Sequence, residues 1–314
     1  MSILVSIKGY DSAPWVKRLE DCLPGRSIFT AESKFDPAAV HYAVSWNHAH
    51  HSLAPLKNLK AVFSLGAGVD HLFRDPGLPD VPIVRVVDPD LRDRMGEWVL
   101  LQCLIHHRRQ RMYDYLQHEK IWEDDTDQPA AKDVRAGVMG LGVLGADAAA
   151  KLKMIGFDVA GWSRGPKKLK GIKCYFGAAG LDEFLGRTDI LVCLLPLTPE
   201  TRGILNRAVI GKLARDGRLG GPVLINAGRG GLQIEKDILA ALDEGGLMAA
   251  TLDVFEKEPL PKTSPLWHHP RVTVTPHVSA SSDPAEIARY IAGQITAFEG
   301  GTALRNVVDR ARQY

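Results

Sequence analysis

Val134-Arg-Ala-Gly-Val-Met139, then Gly140-Leu-Gly142-Val-Leu-Gly145, then the alanine-rich run Ala146 to Ile155, is the stretch that decides the reading of this chain. An apolar run leads into G-x-G-x-x-G, and helix-forming residues without proline follow. That is the strand–turn–helix context a dinucleotide-binding turn requires. In such a turn the first glycine makes the bend, the second lets the backbone approach a pyrophosphate, and the third permits close helix–strand packing. Phosphate charge then sits at the helix N-terminus. Leu144 lies inside the same turn and joins Gly140, Gly142 and Gly145 as a candidate cofactor contact.

On the C-terminal side, short apolar runs alternate with helical patterns: residues 158–162, 173–177, 189–195, 222–227, 249–255 and 271–275. On the N-terminal side the same alternation runs through 3–7, 27–31, 42–46, 61–65 and 83–87. Alternation of this kind predicts parallel sheets covered by helices, and runs apolar on both faces are expected of central parallel strands. From Gly96 to Trp122 one long proline-free run predicts a single linking helix, and Pro284 to Gly300 a last helix that returns to the first domain. The expected architecture is α/β: two doubly wound parallel-sheet domains. A Rossmann-type nucleotide domain, residues 96–282, is inserted in a smaller flavodoxin-like substrate domain, residues 1–95 plus 283–314.

The end of the second nucleotide-domain strand decides between cofactors. An acid there grips the ribose 2′-OH of NAD, whereas Arg accommodates a 2′-phosphate. Asp158 is the tempting acid, but it stands at the strand's start, roughly 13 Å from the end where ligands bind. Trp162-Ser163-Arg164 occupies that end, followed by Lys167, Lys168 and Lys170. Neutral and basic groups in this place favour NADPH, with NADH weaker, and make Ser163, Arg164 and Lys167 candidate contacts.

Three further strand ends carry chemistry. Residues 222–227 run into Gly228-Arg229-Gly230-Gly231, which sets one guanidinium among glycines; an Arg fork suits a substrate carboxylate or a polarised carbonyl. Residues 249–255 run into Glu256-Lys257-Glu258-Pro259, and 271–275 into Pro276-His277. A His at a strand end is a candidate acid/base, and a nearby carboxylate would hold its tautomer and favour its protonated form. Arg229, Glu258 and His277 are therefore the catalytic candidates. Trp46, at the end of 42–46, is a candidate wall of the substrate pocket.

Composition narrows the class. Lys+Arg 39 against Asp+Glu 37 gives a net charge of +2, too balanced for a nucleic-acid or membrane-surface binder. Cys22, Cys103, Cys174 and Cys193 are scattered singly, which indicates neither a disulfide framework nor a metal site and fits a reducing cytoplasm. No apolar run approaches the roughly 20 residues of a membrane span, and the N-terminus reads as a strand.

Taken together these pieces make the chain similar to a known family. Residues 61–70 (AVFSLGAGVD), Gly140 to Gly145, 195–201 (LPLTPET), 226–230 (NAGRG), 252–261 (LDVFEKEPLP), 264–272 (SPLWHHPRV), 275–278 (TPHV) and the tail 308–314 resemble the D-isomer-specific 2-hydroxyacid dehydrogenases, and within them the glyoxylate/hydroxypyruvate reductase A type. Glu258 follows Arg229 by 29 residues and precedes His277 by 19, in keeping with that resemblance. The resemblance implies an NADPH-preferring reductase of a small 2-oxo acid such as glyoxylate or hydroxypyruvate, giving the D-2-hydroxy acid. His277 would be the proton donor, Glu258 its orienting carboxylate, and Arg229 the group that binds substrate and polarises its keto oxygen. Leu195, Pro196 and Thr201 would line the cofactor together with Ala227. Asp253 would sit near the nicotinamide carboxamide, and the backbone of Gly66, Ala67 and Gly68 would receive the substrate carboxylate. A homodimer joined through the nucleotide domains, with the long helix after Gly96 contributing, is also implied. Two alternatives stay open: the same chemistry on a bulkier 2-oxo acid, and a non-catalytic NAD(P)(H)-sensing protein. A short-chain dehydrogenase is disfavoured, because no Tyr has Lys four positions on and the glycine turn lies mid-chain.

Overall fold

The computed structural model describes residues 1–9 and 11–314. The chain divides into two compact units, Met1–Leu91 with Ser282–Tyr314, and Arg92–Ser281. The second unit begins four residues before Gly96, inside a helix that starts at Pro89 and not at Gly96. Proline suits a first helical position, and Asp88 accepts the Leu91 N–H at 3.2 Å.

In the first unit β1 (Ser2–Ile7), α1 (Ala13–Cys22), β2 (Ile28–Thr30), β3 (Val40–Trp46), β4 (Ala61–Ser64) and β5 (Ile83–Val84) build a sheet of order β2-β1-β3-β4-β5. All its pairings are parallel, which is the flavodoxin-like winding. Alternate residues feed opposite faces: Ile3, Val5, Tyr42, Val44 and Phe63 one core, Leu4, Val40, Ala43 and Val62 the other. The closing helix, Pro284–Glu299, is capped by Asp283, which accepts the Ala285 N–H at 2.8 Å. Its Ile287, Ile291 and Ile295, spaced by one turn, pack with Trp15 and Leu19 of α1 on the first core. The run 83–87 pairs over only two residues. Beyond them the Arg85 N–H turns to Asn306 O and the Val86 N–H to Gly66 O.

The second unit holds α2 (Pro89–His107, from Arg92 onward), α3 (Gln110–Glu119), β6 (Arg135–Met139), α4 (Val143–Ile155), β7 (Asp158–Ser163), β8 (Lys173–Phe176), α5 (Gly177–Gly186), β9 (Ile190–Cys193), α6 (Arg207–Gly211), β10 (Val223–Asn226), α7 (Glu235–Asp243), β11 (Ala249–Leu252) and β12 (Val272–Val274). Its parallel sheet runs β12-β11-β10-β9-β6-β7-β8, so winding reverses between β6 and β9. Ligands of doubly wound sheets bind outside the strand carboxyl ends at such a reversal. Leu191, Cys193 and Leu224 face one core, and Ile190, Val192, Val223 and Ile225 the other. Truncating one of these, Leu191→Ala for example, carries the usual cavity cost of about 2–5 kcal/mol.

The single helix expected from Gly96 to Trp122 is two helices, and Trp122 lies beyond the second. The break is at Arg109, whose φ of 52° is left-handed. Anchors on either side account for it: His106 bonds Thr251 Oγ1 on β11 at 2.8 Å, and Arg111 donates to Thr273 Oγ1 on β12 at 2.7 Å. Tertiary contacts to neighbouring strands override the uninterrupted helical pattern.

Candidate active site

The turn after β6 is shaped by what its glycines lack. Gly140 has φ +109° and donates its N–H to Trp162 O at 2.8 Å; a Cβ there would meet the Leu194 carbonyl at 2.8 Å. A Cβ on Gly145 would lie 1.8 Å from Gly140 O, so only glycine lets α4 start this close to the strand. Around Gly142 nothing lies within 4 Å of a Cβ position, and α4 has no side-chain cap over its N-terminus. Open space, uncapped amides and the positive end of the helix dipole together suit a pyrophosphate. Leu144 is half-buried in the first turn of the same helix.

At the end of β7, Ser163 is buried and donates to Gly165 O at 2.8 Å, which bends the chain so that Arg164 and Lys167 emerge exposed. Asp158 lies at the other end of the strand, opposite Arg135 in register, and pairs with Arg187 at 2.5 Å. One group qualifies the reading of a carboxylate-free loop. Glu200 comes within electrostatic reach of Arg164, and its carboxyl is held below the usual range by the Thr198 hydroxyl, its own backbone N–H and the Arg164 charge. Leu195 and Ala227 are buried at the ends of β9 and β10, and the Ala227 N–H bonds Cys193 O at 3.2 Å. Thr201 spends its hydroxyl on the turn it closes, donating to Pro196 O at 2.7 Å and accepting from Thr198 N–H at 2.8 Å.

Beyond β10, β11 and β12 the three catalytic candidates converge. His277 Nδ1 donates to Glu258 Oε2 at 2.8 Å, and Glu258 Oε1 accepts the Phe255 N–H at 2.9 Å. Burial works against the Glu258 charge, but the His277 bond, the Phe255 N–H and the positive charge of Arg229 outweigh it and hold the carboxyl below the usual range. With Nδ1 committed to Glu258, the His277 tautomer is set and Nε2 is the nitrogen presented for proton transfer. Arg229 is half-buried, with Nη1 donating to Gly228 O at 2.8 Å. Its loop runs against the Glu258 arm because Gly230 has no side chain: a Cβ would lie 1.9 Å from Phe255 C and O.

His277 sits at φ 55°, a costly conformation for a residue with a Cβ. Fully buried Asp253 holds it there. The Asp253 carbonyl accepts the His277 N–H at 2.8 Å, while its carboxylate accepts the Thr275 hydroxyl at 2.5 Å and the N–H groups of Val278 and Ser279 at 2.9 and 3.0 Å. Asp253 is thus bonded into the 275–279 loop. Three residues to which the sequence reading gave no role support the arrangement: Thr275, Asn226 and Gln233. Each is an ordinary polar residue at or beyond a strand end, and no local pattern marks its buried partner.

The substrate-side candidates lie in the first unit. There the Trp46 ring packs where a Gly66 Cβ would be, 2.8 Å away, and lies 4.7 Å from the His71 ring. Ser64 Oγ accepts the Gly66 N–H at 3.2 Å and donates to Gly68 O at 3.1 Å, which fixes the loop containing Ala67.

Residues 100–279 match the family model described as D-isomer specific 2-hydroxyacid dehydrogenase, NAD binding domain. The chain belongs to the D-isomer-specific 2-hydroxyacid dehydrogenases. Among relatives in this family, a glyoxylate/hydroxypyruvate reductase A of Serratia proteamaculans is 39% identical, over 98% of both chains. The solved structure of an NADPH-dependent glyoxylate/hydroxypyruvate reductase from Sinorhizobium meliloti, in complex with NADP and sulfate, is 50% identical over 100% of each chain, with a TM-score of 0.94. A probable 2-hydroxyacid dehydrogenase from Rhizobium etli, in complex with NADP, HEPES and L(+)-tartaric acid, is 46% identical over 100% of this chain and 99% of its own, also at 0.94.

Proposed function

We propose that this dehydrogenase-family protein is an NADPH-dependent reductase of small 2-oxo acids, glyoxylate and hydroxypyruvate, yielding the D-2-hydroxy acid. The observation that carries the reading is the hydrogen-bonded Glu258–His277 pair with Arg229 beside it, at strand ends next to a glycine turn open at Gly142. The α4 N-terminus would hold the pyrophosphate through the Gly140–Gly145 backbone, with Leu144, Leu195, Pro196, Thr201 and Ala227 around it. Ser163, Arg164 and Lys167 would receive the 2′-phosphate. When bound, the nicotinamide supplies the hydride. Arg229 pairs with the substrate carboxylate and draws electron density from the keto oxygen. His277 delivers a proton to that oxygen from Nε2, and Glu258 stabilises the imidazolium that must exist beforehand. Asp253 keeps the imidazole aimed. The Gly66–Ala67–Gly68 backbone and Trp46 would bind and confine the acid.

We further propose a cytoplasmic homodimer formed through the second unit. In support, Leu101 of α2 and Tyr115 of α3 are 53% and 61% exposed, and exposed apolar side chains on neighbouring helices suit a subunit contact. No helix among the described residues is long and apolar enough to cross a membrane.

The test is initial-rate oxidation of NADPH and of NADH with glyoxylate, hydroxypyruvate, pyruvate and a branched 2-oxo acid. Fast NADPH oxidation with the two smallest acids is the expected result. Faster turnover of the branched acid would replace the substrate class, and tight NADPH binding without any turnover would replace catalysis by sensing.

A further inference from the structure

Gln233, 2% exposed, has both ends of its amide engaged. Oε1 accepts from Asn226 Nδ2 at 2.8 Å, and Nε2 donates to the Val254 carbonyl at 2.9 Å. Asn226 is fully buried as well: Nδ2 also reaches Arg229 O at 3.2 Å, and Oδ1 accepts the Gly228 N–H at 3.1 Å. One end of this amide pair therefore grips the backbone on either side of the arginine. The other end grips Val254, which stands between Asp253, the residue that holds the His277 loop, and Phe255, whose N–H holds Glu258. The Gln233 backbone is itself pinned, its N–H donating to Gly230 O at 3.1 Å.

We propose that Gln233 is a positioning residue for the reaction, holding the Arg229 loop in register with the Glu258–His277 pair through Asn226. The two arms leave the paired strands β10 and β11, whose ladder ends at Asn226 and Leu252 with the Asp253 N–H on Asn226 O at 3.0 Å; beyond that point the contact at Gly230 sets only how close the arms come, and the amide pair ties them by side chain. A buried amide pair in which each nitrogen and oxygen has a partner selects one discrete arrangement, because any slip leaves a desolvated donor or acceptor unmatched. An apolar side chain of the same volume would fill the space without that selection. The inference rests on the roles proposed above for Arg229, Glu258 and His277.

Gln233→Met and Gln233→Glu, in the full-length protein with NADPH and glyoxylate, test it. Gln233→Met should lower kcat by roughly 10- to 100-fold, the cost of a small misplacement of reacting groups, with the NADPH Kd unchanged. Gln233→Glu keeps an acceptor for Asn226 but sets a carboxylate oxygen against the Val254 carbonyl, a clash relieved when the acid is protonated. Its kcat/KM relative to wild type should therefore rise as pH falls, whereas the same ratio for Gln233→Met stays flat. Should Gln233→Met fail to fold, the pH ratio of Gln233→Glu decides alone. Wild-type kcat in the folded variants, or a flat ratio for Gln233→Glu, overturns the proposal. So does a Gln233→Met loss that persists undiminished in an Arg229→Lys background, since the residue would then act elsewhere. His277→Gln, measured alongside, separates the premises: turnover retained there would refute the assigned roles whatever Gln233 does.

Discussion

The glycine turn after β6 and the strand ends after β10, β11 and β12 belong to one sheet, yet the turn is shaped by side chains that are missing and the strand ends by side chains that are buried and paired. Around Gly140 and Gly145 the backbone closes on itself, and at Gly142 it leaves a vacant approach to a helix N-terminus. Around Arg229 and His277, by contrast, Asn226, Gln233 and Asp253 turn interior hydrogen bonds into the placement of three polar groups. A nucleotide's phosphates present charge that a backbone can meet. Proton transfer needs an imidazole aimed within a few tenths of an ångström, and a buried network supplies such aim where a loop alone does not.

The largest expected effect breaks the second region alone. His277→Gln should lower turnover by about 10²–10⁴-fold while NADPH affinity stays near wild type, because it removes the transferable proton and leaves the glycine turn intact. Turnover with glyoxylate and fluorescence titration with NADPH check the two halves, and parallel losses in both would mean that the two regions are not separable.

Substitutions inside the turn come next and divide it. In Gly145→Ala the new methyl would overlap Gly140 O, 1.8 Å from the Cβ position, so helix and strand must part. Destabilisation of about 1–3 kcal/mol, as for other overpacked sites, should appear in urea unfolding. Gly142→Ala meets nothing within 4 Å and has an ordinary negative φ of −76°. It should unfold like wild type and still lose NADPH affinity, on the order of tenfold, because its methyl stands where the pyrophosphate would approach. Equal melting and equal affinity in both variants would remove the steric account of the turn.

This contrast also explains what could be read from the residues in order. Strand–turn–helix logic operates within a dozen neighbours, so the turn, the run of parallel strands and the groups at their ends were legible. Two-faced apolar strands such as 190–193, whose alternate residues feed both cores, were legible as central strands. Long-range polar pairing leaves no such trace. Nothing near Gln233 announces Val254, 21 residues on, and nothing near Asp253 announces that its carboxylate is taken up by Thr275, Val278 and Ser279. The break at Arg109 was hidden for the same reason, since the anchors of His106 and Arg111 lie on strands about 150 residues away. Glu200 is a related case: a carboxylate from the loop after β9 faces a basic loop that, read alone, contained none.

Glu200 sharpens the next prediction. Arg164→Ala should weaken NADPH by about tenfold and leave NADH nearly unchanged, the expected worth of one charged hydrogen bond to a 2′-phosphate. Because Glu200 sits close to the same charge, Glu200→Gln should move NADPH affinity in the opposite direction by a smaller factor. Isothermal titration with both nucleotides measures the split, and equal losses for the two nucleotides in Arg164→Ala would show that the residue does not meet the phosphate.

The smallest effect separates a histidine that serves the fold from the one proposed for the chemistry. His106 is buried between α2 and β11, bonded to Thr251, and burial together with the Arg111 charge pushes its pKa from 6.5 down to about 4. In the unfolded chain it would titrate near 6.5. As pH falls below that value, the unfolded state binds a proton that the folded state refuses until about 4, so stability declines across this window instead of rising. The loss by pH 5.5 is about 1 kcal/mol. His106→Gln keeps a donor and an acceptor for Thr251 but has no proton to gain. Urea unfolding at pH 7 and pH 5.5 should therefore lose less stability in the variant than in wild type by about that amount. An identical decline in both proteins would place the acid sensitivity of the fold in another group, and would leave His106 as a hydrogen-bonding side chain whose titration carries no weight.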